Sequence, residues 1–252
     1  MPAWTCASSS ERARGGATAR LDARLRHPAV KPLVFVLALL PLASLLTGAV
    51  ADTLGPNPAE ALIRGLGDWT LRLLCLTLAV TPLRLGLRLP SLVRLRRMLG
   101  LFTFFYAVLH LLAYAWLDMG FVVADIVRDI AKRPFILVGS AALLLMLPLA
   151  ATSFDRAIRA LGARRWQVLH RAVYAVAVLA LLHFFWMRAG KNDFAEVGIY
   201  ATVVAALLGW RLARRLRAAQ RMSPGSHSAS VSTSSTTNSA TISAATNIHT
   251  PR

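Results

Sequence analysis

The chain is poor in acid and in cysteine, and it lacks the short motifs of soluble cofactor chemistry. Eleven Asp and Glu stand against 29 Lys and Arg, leaving a formal net charge of +18. Two cysteines, Cys6 in a polar flank and Cys75 in an apolar run, make no disulfide framework. There is no CxxCH, so a haem would be held without covalent attachment. Without CxxC or HExxH, zinc has no recognisable ligand set, and without GxGxxG or a Walker sequence a soluble nucleotide-binding domain has no support. No acid lies deep in an apolar run, Asp68 near one end excepted, which weakens a proton-relay transporter as an explanation.

What is abundant is hydrocarbon. The chain is 56% hydrophobic with a mean hydropathy of +0.54. The apolar residues are gathered in runs near the ~20 residues that a bilayer requires. Six such segments are Pro32–Val50, Leu66–Leu83, Leu99–Leu117, Pro134–Ala151, Val168–Met187 and Val197–Trp210. They predict an all-α membrane protein, a bundle of about six transmembrane helices over residues 32–215. Residues 1–31 read as a basic cytoplasmic segment with little order, and residues 216–252 as a Ser-, Thr- and Asn-rich tail too polar to fold alone. AVA before Asp52 resembles a signal-peptidase site. The long basic stretch before it and an apolar run longer than a usual signal core argue against cleavage.

Six spans place both termini on one side, and the cations say which. Leaving aside Arg252 at the far end, twenty-one Lys and Arg fall in the two terminal flanks and in the second-to-third and fourth-to-fifth loops, against six in the other three loops. The positive-inside rule puts the richer set in the cytoplasm, and Arg72, inside the second span near its outer end, can snorkel outward. The high charge is thereby assigned to lipid and topology, not to nucleic acid.

Two histidines interrupt the apolar runs. His110 lies seven residues before the outer end of the third span and His183 four before that of the fifth. At ~1.5 Å per residue these are depths of about 10 and 6 Å, a difference that helix tilt absorbs. An ionisable residue in a membrane is a functional-site hypothesis, and two at one depth suggest one ligand. The ligand that needs two neutral imidazoles in an apolar site is haem. Tyr106 and Tyr114 share the face of His110, and Phe184, Phe185 and Trp186 follow His183; for each aromatic alone, ordinary packing is the better reading. His170 lies thirteen residues before His183. It is ~20 Å further inward and rotated by about 140°, so it cannot share that metal. The position thirteen before His110 is Arg97. His170 is therefore left with three roles: ligand of a second haem with another partner, contact for a quinone or flavin, or a cap on a buried polar group. His27, His227 and His249 lie in polar flanks and read as solvated.

The stretches RRMLGLFTFFYAVLHLLAYAWLD (Arg96–Asp118) and RRWQVLHRAVYAVAVLALLHFFW (Arg164–Trp186), with TPLR at Thr81–Arg84, resemble the MsrQ family, in the ferric-reductase-like transmembrane group. Members are haem-binding membrane subunits of bacterial periplasmic protein-methionine-sulfoxide reductase systems. The resemblance covers about residues 32–215. It implies b-type haem, one with a second left open, together with FMN. It also implies electrons from the quinone pool and a periplasmic molybdopterin-containing partner, in the bacterial inner membrane. Carried over by position, His110 and His183 match the principal haem ligands and His170 the family's third intramembrane histidine. Arg97 and Arg171 adjoin the histidine-bearing helices and are candidates for cofactor oxyanions, which guanidinium binds in bidentate fashion; for the other inner arginines, topology and lipid contact suffice.

About 40 residues follow the last span, too few for a Rossmann unit, so electrons must arrive from a membrane carrier or another protein. The competing reading is the membrane subunit of a flavin-dependent ferric or other metal reductase fed by a cytosolic flavin reductase. In either case the substrate chemistry belongs to a partner. The cation asymmetry makes the topology testable: a reporter fused after Gln220 should give a cytoplasmic signal, and a periplasmic one would invert the bundle.

Overall fold

A computed structural model of the chain describes residues 9–189 and 194–222. Among these residues there is no strand. The helices are α1 (Ser9–Arg26), α2 (Val30–Val50), α3 (Pro58–Gly86), α4 (Val93–Ala113), α5 (Val123–Lys132), α6 (Pro134–Ala151), α7 (Asp155–Leu161), α8 (Ala163–Leu169), α9 (Val173–Ala189) and α10 (Ala195–Met222). Six continuous helical stretches are long and apolar enough to cross a bilayer: Val30–Val50, Pro58–Gly86, Pro90–Asp118, Pro134–Ala151, Ala163–Ala189 and Ala195–Gln220. They coincide with the six expected segments, but several are longer. α10 reaches Met222, past the boundary expected at residue 215, so the weakest apolar run belongs to one of the longest helices. The rest of the expected tail lies outside the described residues.

Local chemistry sets the helix starts. Pro58, Pro90 and Pro134 open their helices, where a missing N–H costs nothing. Asn57 caps α3 by accepting the Glu60 N–H at 3.2 Å. α4 ends in one wide helical turn, Tyr114–Asp118, and the chain reverses through Gly120 and Phe121, both at positive φ (53° and 60°). That turn directs the Tyr114 hydroxyl onto Asp129 of α5 at 2.6 Å.

The bundle is organised by the pairs α3–α4 and α6–α9, joined by contacts of α4 with α6 and of α3 with α9. α2 packs outside α3 and α4, and α10 outside α3 and α9. Tyr106, fully buried, fastens α4 to α2. Its hydroxyl donates to Ala38 O at 2.7 Å and accepts from Leu42 N–H at 3.1 Å, bridging the two ends of one helical turn beside Pro41. Tyr106 is thus a packing and bridging residue, in keeping with the plainer reading of its place in the sequence.

Two expectations are corrected. Arg72 does not lie near the outer end of its helix. Because α3 begins at Pro58, Arg72 is mid-helix, and its Nε donates to the Tyr200 hydroxyl of α10 at 3.1 Å while its guanidinium rests 4.9 Å from the Trp69 ring. The N-terminal segment is not structureless either. Ala, Arg and Leu favour helix, and α1 is tied down: buried Asp22 accepts the Ser91 N–H at 3.0 Å and pairs with Arg26 at 2.6 Å. Arg26 also reaches the Ser91 hydroxyl at 3.2 Å, and Arg94 donates to Arg26 O at 3.1 Å.

The Ser91 N–H, and after it the Arg26 guanidinium, hold the Asp22 carboxyl below the ordinary carboxylate range against the opposing pull of burial. Its contribution is therefore complete above about pH 4 and is lost as pH falls through the lowered folded value. At neutral pH, Asp22→Ala should accelerate hydrogen exchange at the Ser91 amide and along α1. Asp22→Asn, which keeps an acceptor but not the charge, should fall between. Unchanged exchange in the alanine variant would show that α1 is held by something else.

Candidate haem-binding site

The two histidines singled out by depth meet. His110 of α4 and His183 of α9 face each other with ring centroids 6.1 Å apart and planes at 75°. They sit on the wall of a cavity of about 410 Å³, within the ~300–1,000 Å³ typical of organic-ligand sites. The wall is largely apolar and comes from four helices, including Leu71 and Leu74 of α3, Ala107 of α4, Met146 of α6, and Ala180 and Phe184 of α9.

Each imidazole is fixed in the same way. His110 Nδ1 is 2.8 Å from Ile63 O on α3, and His183 Nδ1 is 2.6 Å from Phe135 O on α6. A carbonyl oxygen can only accept, so each Nδ1 carries the proton and each Nε2 keeps its lone pair. This is the tautomer and orientation of a metal-ligating histidine, whose other nitrogen donates to a carbonyl. Four residues after each accepting carbonyl stands a glycine. At Gly67 a Cβ would come within 3.1 Å of the His110 ring, and at Gly139 within 2.8 Å of the His183 ring. Both rings therefore lie against bare backbone, one helical turn from the carbonyl that holds them. Gly67 and Gly139 were missed in the sequence, where a glycine in an apolar run has no partner to reveal its purpose.

Among the described residues, no three His, Cys, Asp or Glu gather as a set for a metal ion. A bare ion would want three or four protein ligands. Two imidazoles alone suit a metal that brings its equatorial ligands, as haem iron does. Metal–imidazole bonds are ~2 Å long, so two rings with centroids 6.1 Å apart are close enough for both to reach one ion. The residues present fit haem.

The cavity mouth is charged. Arg64, Arg133 and Arg188 line it with Glu60, Asp68 and Asp118. Arg188 bonds Glu196 at 2.6 Å and approaches Asp68 at 3.7 Å, and Arg133 bonds Asp129 at 2.9 Å. Arg64 pairs with Glu60, yet its buried Nε has no partner. A guanidinium N–H left over at the rim suits an acidic group on a ligand, such as a haem propionate.

The other expected site residues lie elsewhere. His170 is one full helix segment away, stacked on Trp166 at 4.0 Å and held through Nδ1 by Trp166 O at 3.1 Å. Arg97 pairs with Asp155 at 2.7 Å, and Arg171 is exposed in the turn that precedes α9; neither lines the cavity. Tyr114, Phe184, Ala107 and Ala180 do line it, while Phe185 and Trp186 point outward, toward the surface that lipid would cover.

Comparison with known proteins agrees with this architecture. Residues 66–181, which include His110 and most of the helix that carries His183 but stop two residues short of it, match the family model described as ferric reductase like transmembrane component. A protein of Polaromonas naphthalenivorans named protein-methionine-sulfoxide reductase heme-binding subunit MsrQ is 66% identical over 188 residues, covering 75% of this chain and 86% of that protein. Proteins of the same name from Ralstonia nicotianae and Xanthomonas campestris pv. campestris are 55% and 47% identical, covering 73% and 71% of this chain and 85% and 80% of their own. No solved structure is significantly similar to it. With identity of this degree over nearly the whole of such relatives, the chain belongs to the MsrQ family, within the ferric-reductase-like transmembrane group.

Proposed function

We propose that this chain is a haem b electron-transfer subunit of the bacterial inner membrane, with both termini cytoplasmic. It passes electrons outward to a periplasmic molybdopterin-containing protein-methionine-sulfoxide reductase and so supports repair of oxidised periplasmic proteins. The observation that carries the reading is the pair His110 and His183, each with Nδ1 on a backbone carbonyl and facing the other across an apolar cavity. Relatives bearing the name heme-binding subunit support it.

Bound haem supplies a one-electron iron couple there, tuned by its axial ligands. The chain's residues do the rest. His110 and His183 would hold the metal through Nε2, while Ile63 O and Phe135 O stop the rings from turning. Gly67 and Gly139 give the rings room, Leu71, Leu74 and Met146 exclude water, and Arg64 with Arg188 holds acidic groups at the outer rim. With both histidines engaged in holding it, haem bound here would supply electron transfer and not a substrate-binding position. His170, with Arg97 and Arg171 on the same inner flank, is assigned to the input side. Quinol as donor and FMN as a further cofactor belong to that side of the proposal.

His110→Ala and His183→Ala should each remove the low-spin haem signal, or convert it to high spin, and the double variant should be little worse than either, because one site is broken once. His170→Ala should leave that signal in place while slowing reduction from the inner side. The glycines give a finer test. The ring at Gly139 is held by a short hydrogen bond and cannot retreat, so Gly139→Ala should cost most of the haem; Gly67→Ala, at 3.1 Å, should cost less. A normal spectrum in both histidine variants, or a Gly139→Ala protein indistinguishable from wild type, would refute the assignment.

A further inference from the structure

A second polar feature lies at the opposite end of the bundle from the histidine cavity. Where α3 ends and α4 begins, a cavity of about 200 Å³ is lined by Arg96, Arg211, Arg214 and Arg215, with Tyr174 and Trp210. No acidic residue is among its lining. Positive-inside topology explains arginines near this surface, but it asks only that they reach water. Arg211 does the opposite. It is 8% exposed, with Nη2 donating to Leu78 O at 2.6 Å inside α3 and the Tyr174 side chain as a second polar neighbour of the guanidinium, while its buried Nη1 has no partner. The neighbouring cations add to the demand for an anion. Arg211 and Arg215 both lie over the Tyr174 ring, at 5.3 and 5.4 Å, and Arg214 lies over Trp210 at 5.2 Å. The aromatic faces hold the guanidinium groups in place and offset part of their mutual repulsion, but they leave N–H groups to spare. α10 supplies three of the four, since residues 211, 214 and 215 fall on one helical face.

We propose that Arg96, Arg211, Arg214 and Arg215 form a binding site for a phosphate group. Planar N–H forks match phosphate oxygens in pairs, and a doubly or singly charged oxyanion satisfies both the unpartnered Nη1 and the local excess of charge. The cavity is the size of a head group, not of an extended cofactor. The phosphate can come from an anionic phospholipid of the facing leaflet or from a soluble phosphate. The site does not depend on the haem assignment.

The test uses the full-length protein in phosphatidylcholine nanodiscs, with two probes: phosphatidylglycerol doped into the disc and retained on release into native mass spectrometry, and inorganic phosphate or pyrophosphate titrated against tryptophan fluorescence. Arg214→Gln/Arg215→Gln removes two exposed members and leaves buried Arg211 to support the fold. Arg88→Gln/Arg165→Gln, exposed and outside the cavity, is the charge-matched control; all three proteins must elute as single species. Retention of one phosphatidylglycerol by wild type and control, with at least a tenfold loss in the cavity variant, supports the site and names lipid as the source. The same pattern with phosphate or pyrophosphate, without lipid retention, supports the site with a soluble source. Equal behaviour of the cavity variant and the control toward every probe overturns it.

Discussion

An imidazole placed in hydrocarbon has two nitrogens to satisfy, and the bundle is arranged around doing so twice. Leaving a buried polar group unpaired costs ~1–3 kcal/mol, and the bilayer offers no water to relieve it. At His110 and His183 the inner nitrogen is satisfied by a carbonyl of the neighbouring helix, not of its own. That choice ties α4 to α3 and α9 to α6, the two closely packed pairs of the bundle. It also requires glycine one turn later on each accepting helix, where a Cβ would meet the ring. What remains is one nitrogen with a lone pair on each ring, on two rings that line the same largely apolar cavity.

The two ends of the molecule then carry different electrostatics. At the histidine end, arginines are matched with acids: Arg64 with Glu60, Arg133 with Asp129, Arg188 with Glu196. In the small cavity at the other end, Arg96, Arg211, Arg214 and Arg215 gather with no acid in the lining, and three of them lean on Tyr174 and Trp210 instead. For the proposed electron carrier, such an asymmetry would serve to hold it in one orientation in the membrane.

Features carried by a single segment were legible in the sequence. Six apolar runs declared six helices, and the similar depths of His110 and His183 suggested one shared ligand before any geometry was known. What escaped were properties that two segments share. Gly67 and Gly139 matter only because a ring from another helix lies on them. Arg72 read as a snorkelling residue because its helix begins earlier, at Pro58, and because Tyr200, the residue that holds it, is 128 positions away. Asp22 looked like one more residue of a loose basic flank, and its anchor, the Ser91 amide, lies 69 positions on. Arg211 counted as one interfacial cation among many until its partner proved to be a carbonyl inside α3.

The central claim is that two neutral imidazoles hold one haem between α4 and α9. The most direct measurement is the paired optical and electron paramagnetic resonance spectrum of the purified protein from haem-sufficient cells, oxidised and then reduced with dithionite. Two axial imidazoles require a low-spin ferric signal and sharp reduced bands of b type. A colourless protein, or a haem that is high-spin because one axial position is open, would contradict the account.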